Sequence, residues 1–390
     1  MPVVNLAEAT FGFFIPSVSL MGVGSSKEVG AKAAELGAKK VMIVTDAGLA
    51  KLGVAALIQK NILAAGLECI VYDGAEPNPT DKNVHDGVKV FVDNKCDFIV
   101  SLGGGSSHDC GKGVGLVTAG GGHIRDYEGV NVSKVPMTPI ISINTTAGTA
   151  SEMTRFCIIT NTETKVKMAI VDWRVTPLVA IDDPVLMVGK PPALTAATGM
   201  DALTHAIEAY VSTIATPITD AVAEKAIRLI GEWLRPAVAM GANLGARDAM
   251  CYAQFMAGMA FNNASLGHVH AMAHQLGGFY NLPHGVCNAI LLPHVMEFNM
   301  IACPDRYADI AEFMGVQCEG MSVTEAANAG IAAIRELSVS IGIPSGLAEL
   351  DVKEQDLKTM AENAQKDACG FTNPRKVSLD QVIGLYKTAM

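Results

Sequence analysis

The chain has 390 residues, with 29 basic and 39 acidic side chains and a formal net charge of −10. Half of its residues are apolar, only 17% are charged and 38 are glycine. Disorder is excluded as the main state, since disordered chains are poor in apolar residues and rich in charge, and nucleic-acid binding is disfavoured, since it needs a basic face to neutralise phosphates.

At roughly 100–200 residues per domain, the length predicts two or three domains. A chain this apolar must bury much of its surface in cores or in subunit contacts. No stretch reads as a spanning helix of about 20 mainly apolar residues, because Asp, Glu, Lys, Asn or glycine-rich turns interrupt every candidate. The opening MPVVNLAEATFGFF has neither a basic leader nor a long apolar core, so no secretory signal is expected. The 9 cysteines are widely spaced and form no Cys-x-x-Cys, so they read as reduced thiols of a cytoplasmic protein.

In chain order, Lys40–Thr45 (KVMIVT), Glu68–Asp73 (ECIVYD) and Asp97–Leu102 (DFIVSL) read as strands. They are apolar on both sides of the alternation, as doubly buried parallel strands are. Helical patterns near 50–65 and 81–94 lie between them. A strand about every 28 residues, with room for one helix per crossover, is the βαβ rhythm of a parallel sheet. Pro139–Asn144 and runs near 156–160, 166–171 and 178–182 read as further strands. After about residue 185 the strand signals fade. Asp220–Met240 is a long amphipathic pattern, Ser322-x-x-Glu325 is a capping box for a helix that Gly342 and Pro344 close, and Ser378-x-x-Gln381 opens the last helix. The C-terminal half therefore reads as all-helical, and the two halves are expected to abut with a cleft between them.

SLGGGSSHDCGKG follows the third strand and precedes a helix-like run, Cys110–Thr118. Gly103, Gly104 and Gly105 lack a Cβ, so a ligand can approach the backbone, and the next helix start offers N–H groups and a positive dipole end to a pyrophosphate. A structural turn is the competing reading; Gly22-Val-Gly24 resembles a dinucleotide fingerprint only faintly. NTTAGTASE follows another strand and offers the hydroxyls of Thr145, Thr146 and Thr149 beside Gly148. Two such loops at strand ends suit one ligand lying across a sheet edge. Asp46 stands just past the first strand. It is either a helix N-cap or an acceptor for a ribose, where its charge would favour NAD over NADP. Asn78, in EPNPT, is either a turn residue or a ligand contact.

Six of the nine histidines, His205, His268, His270, His274, His284 and His294, fall in the helical half. Asp201 and His205 are four residues apart in a helix pattern, so they share one face. His270 and His274 repeat that spacing, and His284 is placed to open the next helix in LPHG. One carboxylate with imidazoles so spaced is a divalent-metal constellation; singly, each histidine is equally a buried or capping residue. His85, His108, His123 and His294 read as structural.

GGGS-x-x-D-x-x-K (Gly103 to Lys112), TTAGTASE, D-x-x-x-H, H-x-x-x-H and PHG occur in that order, together with FFIPSVSLMG, EPNPT, TGMDALTHAIEAY and NPRK (Asn373–Lys376). The ordered set resembles the iron-dependent (group III) alcohol dehydrogenases over nearly the whole chain. It is most similar to the branch holding methanol dehydrogenases, 1,3-propanediol dehydrogenases and lactaldehyde reductases. The resemblance implies an α/β NAD-binding domain with a parallel sheet over residues 1–185 and an all-helical metal-binding domain over 186–390, the fold shared with dehydroquinate synthase. It implies that Asp201, His205, His270 and His284 bind a divalent metal, Fe²⁺ by family and Zn²⁺ by chemistry also acceptable. It implies that Asp46, Asn78, Gly103, Gly104, Gly105, Ser106, Thr145, Thr146, Thr149 and Lys167 hold NAD, and that His274 is a proton relay. It also implies a homo-oligomer, a dimer or larger. Two residues depart from the family pattern: Ser107 stands where proline is common, and His268 where an aromatic is usual.

The expected activity is NAD-dependent interconversion of small primary alcohols and aldehydes. A metal-dependent lyase of the dehydroquinate synthase kind is the rival from another class. Its phosphate-bearing substrate would call for Arg and Lys near the metal, and residues 261–290 contain neither. The same lack of cations favours a small neutral substrate, with Phe156, Phe261 and His268 as candidates for narrowing its pocket. A metallohydrolase and a non-catalytic scaffold are the remaining alternatives.

Overall fold

The computed structural model describes residues 10–390, so most of the segment read above for a secretory leader lies outside the described residues. The chain divides into two compact units, Phe14–Val188 and Gly189–Met390, and the described residues before Phe14 group with the second.

In the first unit the strands are β1 (Val18–Met21), β2 (Lys40–Val44), β3 (Glu68–Tyr72), β4 (Phe98–Gly103), β5 (Gly129–Val130), β6 (Ile140–Asn144), β7 (Phe156–Asn161), β8 (Val166–Val171) and β9 (Val179–Asp182). Six of them form one parallel sheet in the order β1-β9-β6-β4-β2-β3. Alternate residues feed two cores. Met42, Val44, Ile99 and Ile140 pack on one side with Val84, Val114 and Ile124. Val41, Ile43, Phe98, Val100, Ile141 and Ile143 pack on the other with Val29, Ile58 and Ile62. Each fully buried side chain of this size contributes about 1.5–3 kcal/mol, and a strand covered on both faces has to be apolar throughout.

The runs expected near 156–160 and 166–171 are strands, but they stand outside this sheet. β7 and β8 form an antiparallel pair, and β5 adds to β8, making a separate three-stranded sheet. Lys112 ties this small sheet to the main one. It lies on the helix Gly105–Gly120 and is fully buried. Its Nζ donates to the carbonyl oxygens of Phe156 at 2.7 Å and Thr154 at 2.9 Å and to Ser151 Oγ at 3.2 Å. The lysine of GGGS-x-x-D-x-x-K is thus an internal strut.

The second unit contains helices and no strand among the described residues. Pro192–Val211, Pro217–Ala239 and Leu244–Ala264 pack on one another, and His268–Tyr280 and His284–Asn299 follow. The Ser322 and Ser378 capping boxes both form, opening Val323–Ser340 and Leu379–Thr388. The helical run His284–Ala302 is long and apolar enough to cross a membrane, contrary to the sequence expectation; 56% of its apolar window is buried in the protein, as in a core helix. No disulfide joins any of the nine cysteines, all of which lie among the described residues.

Replacing Lys112 by Ala removes the donor from two buried carbonyls. Leaving a buried acceptor unsatisfied costs about 1–3 kcal/mol, so the Lys112→Ala variant is expected to unfold at markedly lower urea concentration than the parent.

Candidate functional site

In the first unit the chain order of the sheet reverses between β2 and β4, and open α/β sheets bind ligands at the carboxyl ends of strands at such a switch. Asp46 lies two residues after β2, and the glycine loop ends β4. Thr145 follows β6, and its N–H donates to the Gly103 carbonyl oxygen at 2.9 Å. Gly103 has φ +148°, a conformation side chains rarely adopt, and a Cβ there would press on Ser107. A Cβ on Gly104 would stand 3.0 Å from Thr146 Oγ1, and one on Gly105 3.0 Å from Thr149 Cγ2. The two loops expected to share a ligand therefore touch.

The helix after β4 begins at Gly105, not near Cys110, and Gly104 is its N-cap without any side-chain cap. Gly104, Gly105 and Ser106 thus sit at a helix start, where backbone N–H groups and the dipole favour an anion. Thr145 Oγ1 is buried and has no hydrogen-bond partner among the described residues. A glycine cradle, an uncapped helix start and an orphaned hydroxyl fit a dinucleotide. Asp46 caps the helix Ala47–Lys51, accepting from the Leu49 N–H at 2.9 Å. Asn78 has φ +54° and accepts from Lys167 Nζ at 2.8 Å, so EPNPT meets β8. Ser107, the departure from proline, is buried. Gly22 and Gly24 form a turn after β1 with φ of +101° and +84°, and the Gly24 N–H donates to Asp183.

In the second unit Asp201 and His205 lie on the helix Pro192–Val211, His270 and His274 on His268–Tyr280, and His284 opens the next helix. The three Nε2 atoms of His284, His270 and His205 stand 3.5, 3.7 and 3.9 Å from Asp201 Oδ1. Donor atoms of Asp201, His270 and His284 lie within 4.8 Å of one another. Helix geometry brings this about: Gly285 packs so closely on the Ala197 backbone of the first helix that a Cβ there would collide with its carbonyl. The glycine of PHG is what lets His284 come up to Asp201.

Burial pushes the Asp201 carboxyl up, but the imidazoles of His205, His284 and His270 outweigh it and hold the group well below the usual carboxylate range. Burial pushes His270 down, and its hydrogen bonds to Asp201 and Glu208 bring it up to about 9. A charged carboxylate facing three imidazoles is a donor set that fits a divalent ion. His274 stands one turn on from His270, its ring stacked 5.4 Å from that of His284. Phe261 stacks on His205 at 4.3 Å. His268 is buried and its N–H donates to Asn373; burial holds its imidazole below the usual value.

Two residues beside Asp201 and His270 escaped the sequence reading. Glu208 accepts from His270 Nδ1 at 2.6 Å and from the Val269 N–H at 2.6 Å. It therefore holds the Nδ1 proton of His270 and leaves Nε2 as the nitrogen that faces Asp201. Asn288 places Nδ2 2.7 Å from Asp201 Oδ1 and 3.1 Å from Nε2 of both His270 and His284. Both had a signal: Glu208 is seven residues from Asp201 on the same helix face, and Asn288 is one turn beyond His284.

The family model described as "Iron-containing alcohol dehydrogenase" matches residues 16–184, and "Fe-containing alcohol dehydrogenase family, C-terminal" matches residues 195–390. This chain belongs to the iron-containing alcohol dehydrogenase family. It is 54% identical over 381 residues to a 1,3-propanediol dehydrogenase of Klebsiella pneumoniae, covering 97% of this chain and 98% of that enzyme. It is 51% identical over 378 residues to an NAD-dependent methanol dehydrogenase of Bacillus methanolicus, covering 97% and 99%. Among solved structures, an alcohol dehydrogenase from Oenococcus oeni superposes with a TM-score of 0.96 at 46% identity, covering 98% of this chain and 100% of that one.

Replacing His270 or His284 by Ala is expected to abolish stoichiometric metal binding. Glu208→Gln is expected to weaken it about 10–100-fold, the usual effect of losing the partner of a liganding histidine. Metal analysis after dialysis against graded chelator distinguishes the two classes.

Proposed function

We propose that the protein is a cytoplasmic, homo-oligomeric, NAD-dependent alcohol dehydrogenase acting on small neutral primary alcohols and the matching aldehydes. The observation that carries this is the convergence of three imidazoles on one buried carboxylate oxygen, in a member of this family. The unit Phe14–Val188 serves as the NAD-binding domain and Gly189–Met390 as the metal-binding domain, a division three residues beyond the expected 185.

Asp201, His205, His270 and His284 would hold the divalent ion, Fe²⁺ by family, whose Lewis acidity makes a hydroxyl acidic and polarises a carbonyl. Gly103–Ser106, Thr145, Thr146, Thr149, Asp46, Asn78 and Lys167 would hold NAD, the acceptor of the hydride. The chain's own tasks are positional. The loop and helix start bind the pyrophosphate, and Asp46 accepts from a ribose hydroxyl while its charge repels a 2′-phosphate. His274 takes up the proton that an alcohol loses as it is oxidised, and returns it to solvent. Residues 261–290 bring no Arg or Lys, so nothing in that stretch would attract an acidic substrate.

The test is an NAD⁺-coupled panel of methanol, ethanol, butanol, 1,3-propanediol and 1,2-propanediol on protein of measured metal content. NADH should form with primary alcohols, cease on chelation and return with Fe²⁺. A metal-replete sample that makes no NADH from any of them overturns the reading.

A further inference from the structure

The motif NPRK has no role in either site, yet its segment is held firmly. Asn373 and Asn299 donate to each other at 2.8 and 2.9 Å. Asn373 Oδ1 also accepts from the His268 N–H at 3.2 Å, at the start of the helix that carries His270 and His274. Thr372 Oγ1 donates to the Leu266 carbonyl at 2.6 Å, and Arg375 Nη1 donates to the Phe298 carbonyl at 2.5 Å. These bonds lash residues 372–375 against two helices of the candidate metal centre.

At the head of the strap stands Asp367. Its Oδ2 lies 2.8 Å from His274 Nδ1. Its Oδ1 accepts from the Cys369 N–H at 3.0 Å and so caps the turn Ala368–Thr372. The carboxylate is mostly buried, with 17% of the side chain exposed. Burial alone would push it up, but His274 and the Cys369 bonds hold it below the usual carboxylate range. A carboxylate accepts and does not donate, so the bond requires the proton on His274 Nδ1.

We propose that Asp367 is a positioning residue: it locks His274 in the Nδ1–H tautomer and so keeps the lone pair on Nε2. This rests on the reading of His274 as the group that takes the alcohol's proton. In that step the alcohol O–H bond breaks and an Nε2–H bond forms. Asp367 stays ionised and stabilises the imidazolium, which then gives the proton to water. The logic is that of any carboxylate–imidazole pair: the acid sets tautomer and orientation, and its loss leaves the proton on the wrong nitrogen. The NPRK strap follows directly on the turn that Asp367 caps.

The experiment compares Asp367→Asn, Asp367→Glu, His274→Ala and the double variant Asp367→Asn/His274→Ala. Asn keeps the acceptor for the Cys369 N–H, so the turn is retained. Asp367→Asn should lower kcat about 100-fold, within the usual range for general acid–base groups, with KM and metal per chain unchanged. Asp367→Glu should restore much of it. The double variant should be no slower than His274→Ala. Nitrogen-15 spectra of histidine-labelled protein, with the His274 signal assigned from His274→Ala, should show the Nδ1–H tautomer in the parent and its loss in Asp367→Asn. Additive losses in the double variant, metal loss in Asp367→Asn, or an unchanged tautomer overturns the proposal. Full turnover in His274→Ala instead overturns the reading of His274, while the spectra still report whether Asp367 sets its tautomer.

Discussion

Asp201 sets the terms for the helical unit. A carboxylate inside an apolar helix is costly unless it is paired, and this one is almost fully buried. Three imidazoles from three helices answer it, each with Nε2 within 4 Å of Oδ1. The neighbours follow from that requirement. Glu208, on the same helix as Asp201, orients His270 and satisfies a backbone N–H. Gly285 permits the helix contact that delivers His284. The same crowding that makes an empty-handed carboxylate expensive makes the cluster a good host for a cation.

The first unit is governed by a different constraint. A parallel sheet covered on both faces leaves its ligand only the strand ends, and the strand order reverses between β2 and β4, the place where such sheets bind their ligands. Gly103 needs its positive φ to turn from strand to helix within a residue or two. The helix then begins without a side-chain cap, leaving its first N–H groups for a ligand. Lys112, on that same helix, is spent on structure. Its three-way bonding to residues 151–156 holds the small sheet that carries Lys167.

The two departures from the family pattern end in the interior. Ser107 is buried beneath the glycine turn, and His268 is buried at the start of the helix bearing His270. Gly370 sits close against the His268 ring, so this imidazole packs on the turn that Asp367 caps. Neither residue disturbs the convergence of the four metal-site candidates on one point.

Strands, helices and caps were legible in the sequence because their signals are local. The apolar runs of β2, β3, β4 and β6, the Ser322 and Ser378 boxes and the i, i+4 pairs each lie within a few residues. The sequence also carried the ordered motifs that mark the family. It did not show that β7 and β8 leave the main sheet, since an apolar run reads the same in either pairing. Nor did it show which group fixes each imidazole. Glu208 meets His270 across 62 residues, Asn288 meets Asp201 across 87, and Asp367 meets His274 across 93. The sequence by itself determined which side chains could reach a common point from one helix face. Only the packing of separate helices decided which carboxylate or amide each would meet, because periodicity relates residues along one element and carries nothing about the neighbour it packs against.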